Sequence, residues 1–428
     1  MTRHAAIPVY FVVRVTSALI LLKLSAQFLT VEDFANFTQL LAFASLLNMA
    51  VVGGAQNGLI RQAAAGDHTA VSDVHGAGLA IWLAAVPLVG ISVTSFSGQI
   101  SQLLTGTTGY AKVVVALAAL SLAAGPGQIW WSLLSGRKRV TQSLGAQAFG
   151  IVSGTGLAAF FIVQREFVPA ALAFAGGPLL AAVVTLPLVA RLGIGWRPTT
   201  RGLAQLLRYS GAIASTMGFS AIVLFALRSQ YRGHFGSAPL GYWLAANRIS
   251  DMSTQFLGLF MLQAFVPQLA ATQDARQRSR LIFRYGVLGT CLTGLALLTM
   301  LVAGTPLVHL FLSDKYLPAL TSIRLYMLGD FFRVWVSLAM FTAFAAGNPG
   351  RYAAIEIVTM TIMATLTLLL IARGELLAPQ IGYAGAFGLM ALLLAGRLLV
   401  GPVLRRRARL RPHGGRRIFP RGSAARAR

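Results

Sequence analysis

Charged residues are scarce in this sequence: Asp, Glu, Lys and Arg make up 11% of its 428 positions, while hydrophobic residues make up 56%. Soluble globular chains carry about 25% charged residues, so this composition excludes an ordinary soluble protein. Apolar segments of roughly 20 residues recur along the chain, and that length crosses about 30 Å of hydrocarbon as an α-helix. Because the mean hydropathy is also high, at +0.70, we predict an all-α, polytopic membrane protein.

Cysteine and catalytic motifs are also nearly absent. Cys291 is the only cysteine, which excludes an internal disulfide and a thiolate metal site. The sequence has no Walker motif, so we expect no ATP hydrolysis. It has no pair of carboxylates with the spacing of a glycosidase. We therefore predict no catalytic residue, no metal site and no cofactor.

The first apolar segment, residues 5–29, has the position of a signal peptide. It contains Arg14 and Lys23 and lacks a short uninterrupted apolar core with a cleavage site, so we interpret it as a retained helix. Turn and charged residues between apolar runs predict twelve membrane spans, numbered in chain order: 6–29, 36–60, 75–97, 110–134, 142–163, 168–190, 207–229, 238–266, 284–312, 318–345, 351–372 and 380–403.

Basic residues alternate along this predicted topology. The loops after even-numbered spans contain most of them: Arg61, Arg137, Lys138, Arg139, Arg191, Arg197, Arg201, Arg276, Arg278, Arg280 and Arg351. The loops after odd-numbered spans contain Arg165, Arg232, Lys315 and Arg373, beside several acidic residues. Because basic residues in short loops are retained in the cytoplasm, we predict that both termini are cytoplasmic.

The longest basic loop, residues 191–208, follows span 6 and divides the chain into two halves of nearly equal length. Duplicated halves are common in secondary transporters, although no residue-level repeat is evident here. We predict an N-terminal six-helix lobe (1–200), a C-terminal six-helix lobe (201–404) and a basic tail (405–428). The tail contains ten arginines, and we expect it to be disordered, cytoplasmic and in contact with anionic lipids. It has no aromatic stacking pattern, so we do not expect nucleic-acid binding.

Charged side chains inside the spans are the strongest functional signal, because a charge near the bilayer centre is costly and usually faces a cavity. Span 8 has a polar stripe whose members are spaced by three or four residues and share one helix face: Asn247, Arg248, Asp251 and Gln255. Span 10 has Asp330 and Arg333 at the same spacing. We predict that both stripes line a central cavity. The alternative for span 8 is a packing pair in which Arg248 and Asp251 neutralise each other.

Five further charges lie within the predicted spans or near their ends. Arg14 and Lys23 in span 1 are nine residues apart and lie on opposite faces of a straight helix, so we favour Arg14 for the cavity. Arg324 in span 10 either faces the cavity or reaches the outer interface, and Arg228 near the end of span 7 reaches an interface. Glu356 lies near the cytoplasmic entrance of span 11. The interior is net cationic and rich in arginine, which indicates an anionic substrate.

Short motifs in both halves carry a family resemblance. In the second half these are Leu240-Gly241-Tyr242-Trp243, Arg248-Ile249-Ser250-Asp251, Gln255-Phe256, Pro267, Leu312-Ser313-Asp314-Lys315-Tyr316, Gly329-Asp330 with Arg333, and Arg351-Tyr352 with Glu356. In the first half they are Val13-Arg14, Lys23-Leu24, Asn36-Phe37 with Gln39-Leu40, and Asn57-Gly58. The sequence resembles Wzx-type flippases for lipid-linked oligosaccharides, particularly the O-antigen and enterobacterial common antigen members. The resemblance covers most of residues 10–400 and is looser between 60 and 235.

This resemblance implies a two-lobed, MATE-like fold of the multidrug/oligosaccharidyl-lipid/polysaccharide (MOP) exporter superfamily in the bacterial inner membrane. It implies that the substrate is an undecaprenyl-pyrophosphate-linked oligosaccharide, moved from the cytoplasmic to the periplasmic leaflet by alternating access through a cationic central cavity and coupled to an ion gradient. Other glycan-assembly membrane proteins, such as a polymerase and a chain-length regulator, would be partners.

The candidate site residues form two overlapping sets. The candidate substrate-binding residues are Arg14, Lys23, Asn247, Arg248, Asp251, Gln255, Arg324, Asp330 and Arg333. The candidate coupling or gating residues, which would restrain the arginines or carry a coupling proton, are Asp251, Asp330 and Glu356. Two alternatives within transport are a MATE-type small-molecule exporter and a peptidoglycan-precursor flippase. A membrane-embedded glycan polymerase or acyltransferase is the alternative from another class.

Overall fold

The computed structural model describes residues 3–409 apart from 53–54, 66–67 and 273. These residues form an α-helical bundle with no strand among them. The helices of the first half are α1 (Arg3–Phe28), α2 (Val31–Val52), α3 (Gln56–Ala65), α4 (His68–Ser95), α5 (Ser97–Thr105), α6 (Ala111–Gly136), α7 (Val140–Val163) and α8 (Phe167–Ala190). The helices of the second half are α9 (Thr200–Phe235), α10 (Ser237–Phe260), α11 (Val266–Ala271), α12 (Ala275–Phe311), α13 (Leu320–Ala345), α14 (Pro349–Ala372) and α15 (Ala378–Arg409).

The twelve long helices of the described chain correspond one to one with the twelve predicted spans, so the fold class is as predicted. They are α1, α2, α4, α6, α7, α8, α9, α10, α12, α13, α14 and α15. Within the described residues, nine helices are long and apolar enough to cross a membrane by length and composition. The helices α9, α10 and α15 fall outside that group. The first two of these contain charged side chains that line the cavities described below.

Several helix boundaries differ from the sequence-based prediction for local reasons. The N-terminal end of α9 lies at Thr200 rather than 207, because the Thr199 side chain accepts a hydrogen bond from the Gly202 amide and caps the helix. Asp274 caps α12 in the same way, so this helix begins at Ala275 rather than 284. Capped helical turns of polar residues extend beyond the apolar segments, and hydropathy alone does not detect them.

Other differences concern short elements. The predicted span 36–60 is divided into α2 and α3, and the predicted loop 98–109 contains most of α5. The predicted span 238–266 ends as a π-helical turn, residues 261–265, just before Pro267, which has no amide hydrogen to donate to a regular helix. The last helix continues to Arg409, so the first five residues of the predicted tail are helical. Residues 410–428 of the tail lie outside the described residues.

The alternation of the long helices gives the bundle two ends. We call the end that holds the beginning of α1 and the end of α15 the proximal end, and the opposite end the distal end. The basic turn 137–139 and the linker 191–199 lie at the proximal end. The turn 29–30, helix α5 and the 3-10 helix Asp314–Ala319 lie at the distal end. The basic residues therefore concentrate at the end that the sequence predicts to be cytoplasmic, and the compartment itself remains a prediction.

Small residues allow close helix packing within each half. A Cβ atom added to Gly150 on α7 would lie 2.5 Å from the carbonyl oxygen of Gly177 on α8, so only glycine fits at this crossing. On α13, a Cβ atom at Gly329 would lie 2.3 Å from the ring of Tyr383 on α15. This second contact brings the Tyr383 hydroxyl next to Asp330 and Arg333, and so determines part of the site.

Candidate functional site

Two cavities lie among the described residues, and α10 forms part of both. Cavity A has a volume of about 490 Å³ and is enclosed by α1, α2, α6, α7 and α8 of the first half together with α10. Cavity B has a volume of about 460 Å³ and lies between α2 and the second-half helices α9, α10, α13, α14 and α15. Arg248 and Asp251 line both cavities, together with Thr38 and Ser45 of α2.

The polar stripe predicted for span 8 is distributed over these two cavities. Gln255 lines cavity A, Asn247 lines cavity B, and Arg248 and Asp251 lie at their junction. The Asn247 side-chain amide donates to Asp251 Oδ1 at 3.2 Å. Among the described residues, no carboxylate lies within 4.0 Å of the Arg248 guanidinium. Arg248 and Asp251 therefore make no ion pair within 4.0 Å, although both line the junction of the two cavities.

Cavity A has a cationic wall and a neutral polar wall. Arg14 is exposed on α1 and lines this cavity. The Tyr10 hydroxyl donates to Gln147 Oε1 at 3.3 Å across α1 and α7. Asp251 is the only carboxylate among the described lining residues. With Arg248, the cavity thus presents two guanidinium groups and one carboxylate.

Cavity B contains more charge. Its charged lining residues are Arg228, Arg248, Asp251, Arg333 and Glu356. Arg333 Nη1 donates to the Tyr383 hydroxyl at 3.1 Å, and its guanidinium lies 5.2 Å from the centre of the Phe387 ring. Glu356 Oε1 accepts a hydrogen bond of 3.3 Å from Ser220 on α9. Three cationic groups and two carboxylates therefore surround this cavity.

Asp330 is buried behind the cavities rather than facing them. Its side chain is 2% exposed and is absent from the lining of cavities A and B. Its carboxylate accepts hydrogen bonds from three hydroxyl groups: Ser250 at 2.9 Å, Ser253 at 2.8 Å and Tyr383 at 2.7 Å. Because Tyr383 also accepts from Arg333, Asp330 orients the hydroxyl that holds Arg333. The structure differs here from the predicted position of Asp330 in the cavity wall.

Lys23 and Arg324 also lie outside both cavities, and each donates to backbone carbonyls of α12 or of Leu312, the residue that follows it. Lys23 Nζ donates to the carbonyls of His309 at 2.6 Å and Leu312 at 2.8 Å. Arg324 Nη2 donates to the Leu301 carbonyl at 3.1 Å. This carbonyl lies beside the kink of α12 at Ala303, three residues before Pro306, where regular helical hydrogen bonds are interrupted. The predicted cavity role of these two residues is therefore not what the structure shows.

The sequence-based interpretation missed two buried arginines of α9. Arg228 Nη1 donates to Gln39 Oε1 at 3.1 Å, and its Nη2 donates to Asn247 Oδ1 at 3.0 Å. One turn further, Arg232 donates to Asn36 Oδ1 and to the Leu104 carbonyl, both at 2.8 Å. The predicted span ended at 229, but α9 continues to Phe235. Arg228 is therefore buried and does not reach an interface.

A sequence signal for this contact does exist. Arg228 and Arg232 are four residues apart on α9, while Gln39 and Asn36 are three residues apart on α2. These spacings place each pair on one helix face, so two arginines can meet two amides across a helix pair. The pairing of α9 with α2, which belong to different halves, is not visible from spacing within either helix.

The two halves also meet at the distal end. Arg232 joins α9 to α2 and α5, and Lys23 joins α1 to α12. Ser313 donates to the Ala26 carbonyl at 2.8 Å, and Lys315 donates to the carbonyls of Gln27, at 3.1 Å, and Leu29. These hydrogen bonds close the distal end of the bundle.

Comparisons with known proteins place this geometry in a known fold. No protein-family model matches this sequence, and no curated protein matches it. A solved inward-facing conformation of a multidrug resistance MATE family transporter of the MOP superfamily is similar, with a TM-score of 0.72, 14% identity, and coverage of 95% of this chain and 96% of that one. The lipid II flippase MurJ in an inward closed conformation has a TM-score of 0.69 at 14% identity, over 94% of this chain and 87% of that one.

The outward-facing conformation of a multidrug resistance MATE family transporter of the MOP superfamily is similar to a smaller degree. It has a TM-score of 0.56 at 14% identity and covers 93% of this chain and 96% of that one. The chain therefore has a MATE-like fold: it is a multi-pass membrane protein with twelve long helices among its described residues, arranged in two six-helix lobes.

Proposed function

We propose that this protein flips an undecaprenyl-pyrophosphate-linked oligosaccharide, such as an O-antigen or enterobacterial common antigen unit, across the bacterial inner membrane. The observation that carries the proposal is the set of arginines on the cavity walls. Arg14, Arg248 and Arg333 line the cavities, and no carboxylate of the described chain lies within 4.0 Å of any of these guanidinium groups.

The chemistry of arginine supports an anionic passenger. A charge within the membrane costs several kcal/mol unless water or a counter-charge compensates it. The guanidinium group stays protonated and can bind phosphate or carboxylate oxygens through two parallel hydrogen bonds. The pyrophosphate and any acidic sugars of a lipid-linked oligosaccharide are the groups that resist crossing hydrocarbon, so cationic walls match the part of the passenger that needs them.

The proposed mechanism is alternating access, as in other two-lobed transporters. The distal closure and the higher similarity to an inward-facing structure than to an outward-facing one support a resting state open toward the proximal end. The headgroup would enter the cavities from there while the polyprenyl chain stays in lipid. The lobes would then rock to open the distal end, which we propose faces the periplasm.

We propose distinct roles for the acidic residues. Asp251, at the junction of the cavities, and Glu356, in cavity B, would restrain the arginines or carry a coupling proton. Asp330 would act through Tyr383 on the position of Arg333. An ion gradient would supply the energy. The basic tail would contact anionic lipids, and a polymerase and a chain-length regulator would be partners in glycan assembly.

The second candidate is transport of another passenger on the same fold. The similarity to a MATE multidrug transporter and to the lipid II flippase favours a small-molecule exporter or a peptidoglycan-precursor flippase. Efflux of organic cations from proteoliposomes, without movement of undecaprenyl-linked sugars, would favour the exporter. A glycan polymerase or acyltransferase is less favoured, because the cavity walls offer paired cations rather than a catalytic His-acid pair.

The test uses a strain that lacks the gene and carries Arg248→Ala or Arg333→Ala. We expect lipid-linked repeat units to accumulate on the cytoplasmic leaflet and surface glycan to fall at least tenfold, because charge-assisted contacts are worth about 1.5–3 kcal/mol each. Arg351→Ala is the matched control, since Arg351 is exposed at the start of α14 and lines neither cavity. Normal surface glycan in both cavity variants at normal protein levels would rule out the assigned site.

A further inference from the structure

Arg228 is a buried cation that has only neutral hydrogen-bond partners. Its side chain is 7% exposed, and its two terminal nitrogens donate to the side-chain oxygens of Gln39 and Asn247. Its Nε has no hydrogen-bond partner in the described chain. No carboxylate of the described residues lies within 4.0 Å of it. Asp251 lines the same cavity but makes no direct contact with this guanidinium. A buried guanidinium without a carboxylate in direct contact is costly, so the position is suited to an anion.

The same residue lines cavity B. It shares that wall with Arg248 and Arg333, which approach from α10 and α13. An anionic group inside cavity B would therefore be near three guanidinium groups from three different helices. Arg228 was not among the site residues that the sequence predicted, and the roles proposed above for Arg248 and Arg333 do not include it.

Arg228 also joins the two halves of the protein. Gln39 belongs to α2 of the first half, whereas Asn247 belongs to α10 of the second half, beside Arg228 on α9. The bond to Asn247 remains within the second half when the halves separate, but the bond to Gln39 must break. The Gln39 side-chain nitrogen is itself buried without a partner, so this contact leaves a donor unsatisfied on each side.

We infer that a phosphate or pyrophosphate group entering cavity B binds Arg228 and withdraws it from Gln39, which releases α2 from α9 and allows the distal end to open. The inference rests on the proposed function and extends it, because it makes the anionic headgroup itself the trigger of the conformational change. A charged acceptor forms stronger hydrogen bonds than a neutral amide oxygen, so it competes successfully for the guanidinium. The passenger thereby binds one state of the protein better than the other, which is what a ligand-driven shift requires.

Arg232 provides a matched comparison within the same helix. It is the same residue type one turn away, it is 9% exposed, and it also donates to an amide of α2. It lines neither cavity. Loss of Arg232 should weaken the distal contact between the halves without changing the response to an anion, whereas loss of Arg228 should remove that response.

The test measures the distance between spin labels on the two halves. In a Cys291→Ser background, labels replace Gln102 on α5 and His234 on α9, which are both exposed at the distal end. The protein is placed in phosphatidylcholine nanodiscs and titrated with inorganic pyrophosphate. We expect pyrophosphate to increase the population with the longer distance in the unsubstituted labelled protein and in Arg232→Gln. We expect Arg228→Gln to need at least tenfold more pyrophosphate for the same shift.

A second variant keeps the test informative if Arg228→Gln does not fold. Gln39→Ala removes the contact but keeps the cation, so it should populate the longer distance without pyrophosphate. An unchanged distance in Gln39→Ala, no response of the unsubstituted protein, or an unaltered response of Arg228→Gln would each overturn the inference. A shift of equal size caused by phosphatidylglycerol in the nanodisc without pyrophosphate would overturn the assignment of the trigger to the passenger.

The result is separable from the proposed function. Flipping of a lipid-linked oligosaccharide is measured in proteoliposomes with the same unsubstituted protein. If pyrophosphate shifts the distance as expected but the oligosaccharide is not flipped, the role of Arg228 stands and the proposed passenger is wrong. If the oligosaccharide is flipped and pyrophosphate has no effect on the distance, the passenger stands and the inference about Arg228 is wrong.

Discussion

Arg324 and Arg333 lie nine residues apart on α13, and their surroundings give them different roles. Arg333 lines cavity B, whereas Arg324 donates to a carbonyl of α12. Arg14 and Lys23 on α1 repeat this relation, since Arg14 lines cavity A and Lys23 donates to carbonyls of α12. Nine residues correspond to two and a half helical turns, so each pair occupies opposite helix faces. Sequence spacing predicts that separation, but not which face meets the cavity.

At Arg324 we predict a loss of stability rather than a loss of substrate binding. The Arg324→Ala variant leaves a carbonyl at the kink of α12 without its donor, which costs about 1 kcal/mol, the usual net value of one hydrogen bond. The midpoint of thermal unfolding in detergent should fall. Arg333→Ala is the matched variant on the same helix, and it should affect transport more than the unfolding midpoint. Equal unfolding midpoints for Arg324→Ala and the unsubstituted protein would contradict the role of Arg324 as a hydrogen-bond donor to the kink of α12.

At the scale of helices, periodicity and charge predicted the existence of every long helix but not the helix pairs. The polar stripe of α10 was visible from residues spaced by three or four positions. The sequence predicted Arg228 near the end of a span and Arg232 in the following loop, because the extent of α9 depends on Gly236, which has φ of 90° and follows the last residue Phe235. Their partners on α2 come from the other half of the chain. Long-range pairing of this kind is set by packing, which local patterns do not encode.

Gly241 on α10 is one position where such packing has a testable effect. A Cβ atom there would lie 2.5 Å from the carbonyl oxygen of Val31 at the start of α2, so α10 and α2 touch through their backbones at the distal end. Gly241→Ala should push the halves apart there. Overpacking typically costs about 1–3 kcal/mol, which corresponds to roughly a 5- to 150-fold change in the ratio of closed to open distal ends.

The measurement is again the distance between spin labels at Gln102 and His234, without any ligand. Gly258→Ala is the matched control, because Gly258 is on the same helix and no atom lies within 4 Å of an added Cβ. Gly241→Ala should increase the population with the longer distance, and Gly258→Ala should leave it unchanged. An identical distribution in all three proteins would show that the contact of Gly241 with Val31 does not hold the distal end closed.

At the scale of the whole molecule, the distribution of charge is asymmetric. The chain has 36 basic and 11 acidic residues. The basic turn 137–139 and the linker 191–199 are at the proximal end. Glu32 and Asp33, in the first helical turn of α2, are at the distal end, and so are the loop residues Glu166 and Glu375. The sequence predicted this alternation because loop charge is a local property. The closed distal end and the division of the interior into two cavities depend on how the halves meet, so the sequence did not predict them.

The orientation of this charge asymmetry in the membrane bears on the direction of the proposed transport. Because basic loops are retained in the cytoplasm, the proximal end should face the cytoplasm and the closed distal end the periplasm. Single cysteines in place of Gln142, exposed at the start of α7, and Gln102 on α5 test this in a Cys291→Ser background without changing any charge. A membrane-impermeant maleimide should label Gln102→Cys in intact spheroplasts and Gln142→Cys only after permeabilisation. The reverse pattern would place the cavities on the periplasmic side of the closure, and uptake from the periplasm would then replace export as the direction that this structure supports.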